Sequence, residues 1–223
     1  MPSSQLSQST EDYLKNIWLL SEKTGNTAGV RALAKHMGLS PSTVSEAMKK
    51  LAEQGYVEHH RYSGITLTPT GAKIAIQMAR KHRLIETYLV QQLGYNWDEV
   101  HQEAEALEHA VSDRFVEQID KILGHPTEDP HGAPIPTATG SIADVKIRML
   151  SEVHELGMVK IARVSDKDPE ILAFLAQAAI TPGISCEITA ISQSLGTITL
   201  IPAQGRKIQI TIPIAEQIWI ADL

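Results

Sequence analysis

The 223-residue sequence holds a single cysteine, Cys186. One thiol excludes an internal disulfide and any multi-thiolate zinc or iron–sulfur site. No apolar run reaches the roughly 18–20 residues that a membrane span requires. Residues 1–10 are polar and uncharged, so no signal peptide is expected there and a cytoplasmic protein with no membrane association is the default. There is no internal repeat and no low-complexity tract. Neither sign of charge dominates: 20 Lys/Arg stand against 26 Asp/Glu, a net of −6. That balance excludes a surface that binds nucleic acid all over, but not one local basic patch. What is present is 43% apolar and 21% charged residues, enough for a buried core in one to three domains and too ordered a mixture for wholesale disorder.

Charge and texture vary along the chain. Residues 1–72 carry seven Lys/Arg and six Asp/Glu, residues 73–125 six and nine, and residues 126–223 seven and eleven. The first third is the least acidic, with Lys49, Lys50 and Arg61 close together, so it is the segment fitted to meet nucleic acid. Up to about residue 123 the pattern is helical. Residues 124–136 then hold four prolines and two glycines, which no helix can continue through. Beyond them, residues 158–164, 186–191, 197–201 and 207–212 read as strands, rich in Ile and Thr and divided by Gly or Pro turns. A short helix at 171–179 is opened by Asp168 as N-cap and Pro169 at the first helical position. We therefore expect a mainly α chain with a β C-terminal domain, divided into residues 1–72, 73–140 and 141–223, the last a small β-barrel-like domain.

The first third reads as a winged helix-turn-helix. Helices are expected at residues 10–23, capped by Thr10, at 30–37, and from Ser40-Pro41 to residue 54. Gly38 sits in the short turn between the second and third. Two strands around Arg61-Tyr62-Ser63-Gly64 form the wing. The exposed face of the third helix carries Ser42, Thr43, Glu46, Lys49 and Lys50. Hydroxyls at a helix N-terminus suit phosphates or base edges, and Lys49, Lys50 and Arg61 suit phosphates. Glu46 either accepts from a cytosine amine or sits in solvent. The same face would also serve a module that binds protein.

In the middle third, helices are expected over residues 71–93 and 97–123. The first carries His82 and Glu86 one turn apart; the second carries His101, Glu105, Glu108 and His109 along one stripe. Imidazoles and carboxylates on facing helices are a recurrent way to hold a metal inside a bundle. An acidic, solvated helix face or an ordinary polar network is the other reading of these residues. Apolar neighbours Ala104, Leu107 and Val111 favour burial, and a buried carboxylate needs a partner. No activated nucleophile or oxyanion-hole motif accompanies these helical residues, so a non-enzymatic role is expected.

Several motifs occur in order that resemble the diphtheria toxin repressor family of metal-dependent transcriptional regulators. They are Thr10-Glu11-Asp12-Tyr13-Leu14, Ser42-Thr43-Val44-Ser45, Leu67-Thr68-Pro69-Thr70-Gly71 and Arg80-Lys81-His82-Arg83-Leu84-Ile85-Glu86. Glu105-Ala106-Leu107-Glu108-His109 and Gly132-Ala133-Pro134-Ile135-Pro136 complete the set. The likeness runs along essentially the whole chain. It implies a winged helix that reads double-stranded operator DNA, a helical domain that forms a homodimer and binds metal, and an SH3-like C-terminal domain. It implies one metal site at Asp12, Glu105, Glu108 and His109, and a neighbouring site at His82, Glu86 and His101. The C-terminal domain is expected to add a ligand to the neighbouring site, Asp168 first and Glu170 second. Iron-type members have a thioether and a thiolate where this chain has Asp12 and Glu105, so the resemblance points to the Mn²⁺-responsive branch, with Fe²⁺ as the alternative. Lys15 stands where two-domain manganese regulators have a second carboxylate, which fits separated sites better than a paired-metal arrangement. A winged-helix regulator sensing an organic ligand is the rival without metal.

Overall fold

The computed structural model describes residues 6–24, 27–60 and 64–222. Its contacts divide the chain into two compact units, Met1–Lys81 with Pro136–Ser141, and His82–Ile135 with Ile142–Leu223. No described helix is long and apolar enough to cross a membrane.

The first unit opens with α1 (Gln8–Thr24), which begins before the expected Thr10 cap. The Ser7 carbonyl accepts from the amides of Thr10 and Glu11, and Ser7 Oγ lies 3.2 Å from the Thr10 amide. Ser7 therefore caps the helix, and Thr10 falls inside the first turn, where its hydroxyl lies 2.9 Å from that of Ser7. Next come α2 (Val30–Met37) and α3 (Pro41–Glu53). Gly38, at φ 66°, ends α2 in the left-handed conformation that glycine adopts without strain. Ser40 Oγ accepts from the Thr43 amide at 3.1 Å, and Pro41 takes the first position of α3. The wing is β1 (Val57–His60) paired antiparallel with β2 (Gly64–Leu67), Val57 opposite Leu67. Leu14, Ile17, Leu33, Val44, Met48 and Ile65 are fully buried, so three helices and the hairpin share one core. Each such side chain contributes about 1.5–3 kcal/mol by leaving water. Then α4 (Pro69–Leu93) starts, and its later turns belong to the second unit.

In the second unit the single helix expected over residues 97–123 is two: α5 (Val100–Glu108) and α6 (Asp113–Ile122). The break lies at Ser112, whose extended backbone and hydroxyl, 3.3 Å from the Phe115 amide, cap α6. Serine competes with helix continuation by making this cap. Leu84, Ile85, Leu89, Val100, Ala104, Val116, Ile119 and Ile135 pack as one cluster. Ile135 closes the proline-rich loop, and Arg83 anchors that loop by donating to the Pro134 carbonyl at 2.6 Å.

The C-terminal part contains β3 (Arg148–Met149), β4 (Gly157–Val164), α7 (Pro169–Gln177), β5 (Ser185–Ser192) and β6 (Thr197–Pro202). It ends with β7 (Ile208–Thr211), α8 (Ile212–Ala215) and β8 (Ile218–Asp222). The strands form one six-stranded antiparallel sheet in the order β3-β8-β4-β5-β6-β7. The four expected strands are present; β3 and β8 were not anticipated. Ile161, Leu172, Leu175, Ile188, Ile198, Leu200 and Ile218 fill the core beneath the sheet and α7. The Pro/Gly loop is fastened to β4, because the Val164 amide donates to the His131 carbonyl at 2.9 Å. Gly132, at φ 82°, lies so close to Ala162 that an added Cβ would drive into its carbonyl oxygen.

Candidate metal centre and DNA-facing helix

Four side chains of the second unit converge on one point. His82 and Glu86 project from the same face of α4, one turn apart. His101, in the first turn of α5, faces them. His82 Nε2 lies 3.0 Å from Glu86 Oε1 and 3.2 Å from His101 Nδ1. His101 Nδ1 is in turn 3.3 Å from Glu86 Oε1. Asp166, just after β4, brings Oδ2 to 3.6 Å from His101 Nδ1. One ligand atom from each of the four lies within 4.8 Å of the others.

The Pro/Gly loop adds a second set. Asp129, His131 and Glu86 form a fully buried group. Asp129 Oδ1 accepts from the amides of His131 and Ala133 at 2.8 and 2.9 Å, while Oδ2 faces Arg83 Nε at 3.8 Å. His131 Nε2 donates to the Trp97 carbonyl at 2.8 Å, and the Trp97 ring stacks on the imidazole at 5.7 Å. This leaves His131 Nδ1 facing Glu86 Oε2 at 3.7 Å, too long for a hydrogen bond. Among the described residues, neither of these buried atoms has a hydrogen-bond partner.

The electrostatics follow from this crowding. Burial alone would push the Glu86 carboxyl up, but the charge of His82 and the rings of His101 and His131 hold it well below its usual range. Burial would lower His131; the neighbouring Glu86, then Asp129 and Asp166, raise it to about 9. Asp129 is pushed up to about 6, by burial first and the Glu86 charge second. Burial and Glu86 also push on Asp166, but His101, His131 and His82 outweigh them and keep its carboxyl lowered.

These residues fit a divalent cation. The three nearest donor atoms stand 3.0–3.3 Å apart. Ligand atoms around an ion at about 2.1–2.3 Å are separated by roughly 3 Å. A buried carboxylate oxygen with no partner is the kind of group that a cation satisfies.

The expected residues are placed as follows. His82, Glu86 and His101 come together. Glu108 is fully buried, its Oε2 2.7 Å from His82 Nδ1 and its Oε1 3.5 Å from His109 Nε2. Glu105 is half exposed, 4.0 Å from His101 Nε2, and shares a group with His82 and Glu108. Asp12 lies half-buried on α1 in the first unit, where Lys15 is buried one turn later. The C-terminal ligands need correction. Asp168 caps α7, its Oδ1 accepting from the amides of Glu170 and Ile171 at 3.0 and 3.3 Å. Among the described residues neither Asp168 nor Glu170 joins a candidate metal group; Asp166 does. Asp129, His131 and Asp166 escaped the sequence reading. The pairing of Asp129 and His131 around Pro130 was the available signal.

On α3, Ser42, Thr43, Glu46, Lys49 and Lys50 are all exposed. Ser40 Oγ lies 2.7 Å from Ser42 Oγ and 2.8 Å from Thr43 Oγ1, so the hydroxyls gather at the helix N-terminus. Glu46 pairs with Lys50 at 3.4 Å, an exposed contact of little energetic weight. Arg61 lies outside the described residues.

A winged helix-turn-helix followed by a helical region that gathers imidazoles and carboxylates defines a DNA-binding regulator of the metal-dependent class. Comparison with known proteins agrees. The iron-dependent repressor N-terminal DNA-binding domain matches residues 5–65, its metal-binding and dimerisation domain residues 68–137, and the FeoA domain residues 148–222. The iron-dependent repressor IdeR of Mycobacterium leprae is 30% identical over 209 residues, 88% of this chain and 89% of that protein. The regulator MntR of Geobacillus thermodenitrificans is 31% identical over 121 residues, 54% of this chain and 84% of that one. A solved manganese-dependent transcriptional repressor in complex with manganese superposes with a TM-score of 0.90 at 42% identity, covering 96% of this chain and all of that one. The chain belongs to the diphtheria toxin repressor family of metal-dependent transcriptional repressors, which are not enzymes, and its C-terminal sheet is the SH3-like FeoA domain.

Proposed function

We propose that this chain is a Mn²⁺-activated repressor that acts in the cytoplasm, binds operator DNA as a homodimer and controls genes for metal uptake. The donor chemistry carries the reading. Every candidate ligand is a carboxylate or an imidazole, and the one thiol, Cys186, is buried in the C-terminal core, where burial pushes it up to about 11. Oxygen-rich donors suit Mn²⁺, whereas sulfur favours metals later in the affinity series. The likeness to a manganese-bound repressor supports this; the likeness to an iron-dependent one keeps Fe²⁺ as the second reading.

We assign one ion to Asp12, Glu105, Glu108 and His109, as the resemblance implies, and the other to His82, Glu86, His101 and Asp166. A bound cation supplies positive charge that these clustered carboxylates need. A ligand set split between α1 and the helices after α4 stabilises whichever arrangement brings its members together, and so couples metal binding to DNA binding. In a dimer the α3 helices would enter successive major grooves, about 34 Å or a multiple apart. Ser42, Thr43 and Glu46 would lie toward base edges, with Lys49, Lys50 and Arg61 on phosphates.

The test is DNA affinity against metal. Duplexes selected from a random pool with Mn²⁺ present are titrated by fluorescence anisotropy with Mn²⁺, anaerobic Fe²⁺ or chelator. Coupling of about 1–3 kcal/mol predicts roughly 5–150-fold tighter binding with Mn²⁺. Equal affinity in chelator and Mn²⁺ refutes the proposal. Asp12→Met with Glu105→Cys is expected to shift the response toward Fe²⁺; an unchanged preference refutes the selectivity reasoning.

A further inference from the structure

Glu86, Asp129 and His131 have the residue types of a further cation seat beside the one assigned above. The commitments of Asp129 tell against that use. Its Oδ1 already accepts from the amides of His131 and Ala133, at 2.8 and 2.9 Å. Its Oδ2 faces the Arg83 guanidinium, with Nε at 3.8 Å and neither side chain more than 4% exposed. A guanidinium keeps its charge in any protein setting, so this corner holds a permanent cation of its own. The same Arg83 donates to the Pro134 carbonyl at 2.6 Å. Backbone bonds close the turn: the Asp129 amide donates to the Ala133 carbonyl, and the Gly132 amide to the Asp129 carbonyl, both at 3.0 Å.

We propose that Asp129 and Arg83 are positioning residues, a latch that holds the 129–134 turn against α4, and that Asp129 is not a metal ligand. The latch sets His131 where its Nδ1 stands 3.7 Å from Glu86 Oε2. It thereby fixes one side of the Glu86 carboxylate, whose other oxygen meets His82 and His101. The inference rests on the cation reading of His82, Glu86, His101 and Asp166 given above. Groups that hold a ligand from behind are worth 10–100-fold in metal affinity. An ion on Asp129 itself would have to displace two amides or settle beside a like charge.

Mn²⁺ uptake is counted by the EPR signal of the free ion, and the class of sites lost in Glu86→Gln is the one followed. Asp129→Ala is expected to keep the number of bound ions, to weaken this class 10–100-fold, and to speed hydrogen exchange of the His131 and Ala133 amides in the metal-free protein. Asp129→Asn retains an acceptor, so those amides are expected to stay slow and the ion to stay bound. Arg83→Met is expected to weaken the same class. Arg83→Met with Asp129→Asn is expected to lose less than the two single changes added together, because no buried charge is left alone. In crystals of the unaltered protein grown with Mn²⁺, anomalous scattering is expected to place no ion within about 2.3 Å of an Asp129 oxygen. An ion there, or an ion lost in Asp129→Asn, makes Asp129 a ligand and overturns the inference. Uptake indifferent to Asp129→Ala, or strictly additive losses for the pair, overturns it as well. An unaltered protein with no ion at His82, Glu86 and His101 overturns the cation reading instead, and the amide exchange of the metal-free variants then decides for or against the latch. Should the variants fail to fold, the ion position in the unaltered protein decides.

Discussion

Asp166→Asn and Asp168→Ala separate two acids that stand two residues apart and do different work. Asp166 Oδ2 lies 3.6 Å from His101 Nδ1 with its side chain 31% exposed. A unit charge at about 4 Å contributes ~4 kcal/mol at the effective dielectric near a protein surface. Partial exposure screens this, and a loss of about 1.4–2.8 kcal/mol, or 10–100-fold in Mn²⁺ affinity, is expected. The thermal midpoint of the metal-free protein is expected to fall slightly, since the fold holds the Asp166 carboxyl lowered and asparagine removes that charge while keeping the shape. Asp168→Ala removes the cap that accepts two α7 amides. It is expected to cost about 1 kcal/mol of stability, roughly 2–4 °C in midpoint for a chain of this size, with Mn²⁺ affinity unchanged. Calorimetric Mn²⁺ titration and thermal unfolding of both variants check this. The reasoning fails if Asp168→Ala weakens Mn²⁺ binding as much as Asp166→Asn does, or if Asp166→Asn leaves it intact.

Gly132→Ala should destabilise the protein by about 1–3 kcal/mol in urea unfolding and weaken Mn²⁺ uptake, because it forces a side chain into the Ala162 carbonyl at a positive φ; a loss below about 0.5 kcal/mol would contradict the packing described. Lys49→Ala should weaken DNA binding to about the same degree on every sequence and reduce the slope of log K against log salt by roughly one, read by anisotropy at several salt concentrations. A pH dependence is expected of the metal-free protein. His131 is raised from 6.5 to about 9 in the fold, so its contribution to stability is full below pH 6.5 and is lost as pH rises through 9. The Asp129 step, near 6, is largely complete before that window. The thermal midpoint should fall between pH 7 and 9.5, and His131→Gln should flatten that fall.

Most of the helix-turn-helix was legible because its signals are local. Pro41 after Ser40, Gly38 at a helix end and the 3.6-residue apolar stripe each act within one turn. Boundaries were harder where two local devices compete. Ser7 and Thr10 are both plausible caps, and only the hydrogen bonds choose Ser7. Ser112 was hidden inside a periodic pattern that runs through residues 97–123, although its capping of α6 is itself a local rule. β8 is short, and its place between β3 and β4 depends on pairing with residues more than fifty positions away. The same distinction governs the centre. His82 and Glu86 share a helical face and could be read from spacing. Asp129, His131 and Asp166 enter only through the fold of a loop and a strand end. Asp168 was read both as a cap and as a ligand, and its two amide partners show which role the backbone assigns it.

The bond from the Val164 amide to the His131 carbonyl sets two donors in place at once, since His131 carries it and Asp166 follows two residues after it. The thirty-odd residues between them along the chain are bypassed. Within them, the length and composition of the exposed stretch 142–147 can drift by insertion or deletion without altering where either donor stands. Evolution is thereby free to rework the tether between the helical and β portions of the polypeptide while the cation pocket keeps its dimensions.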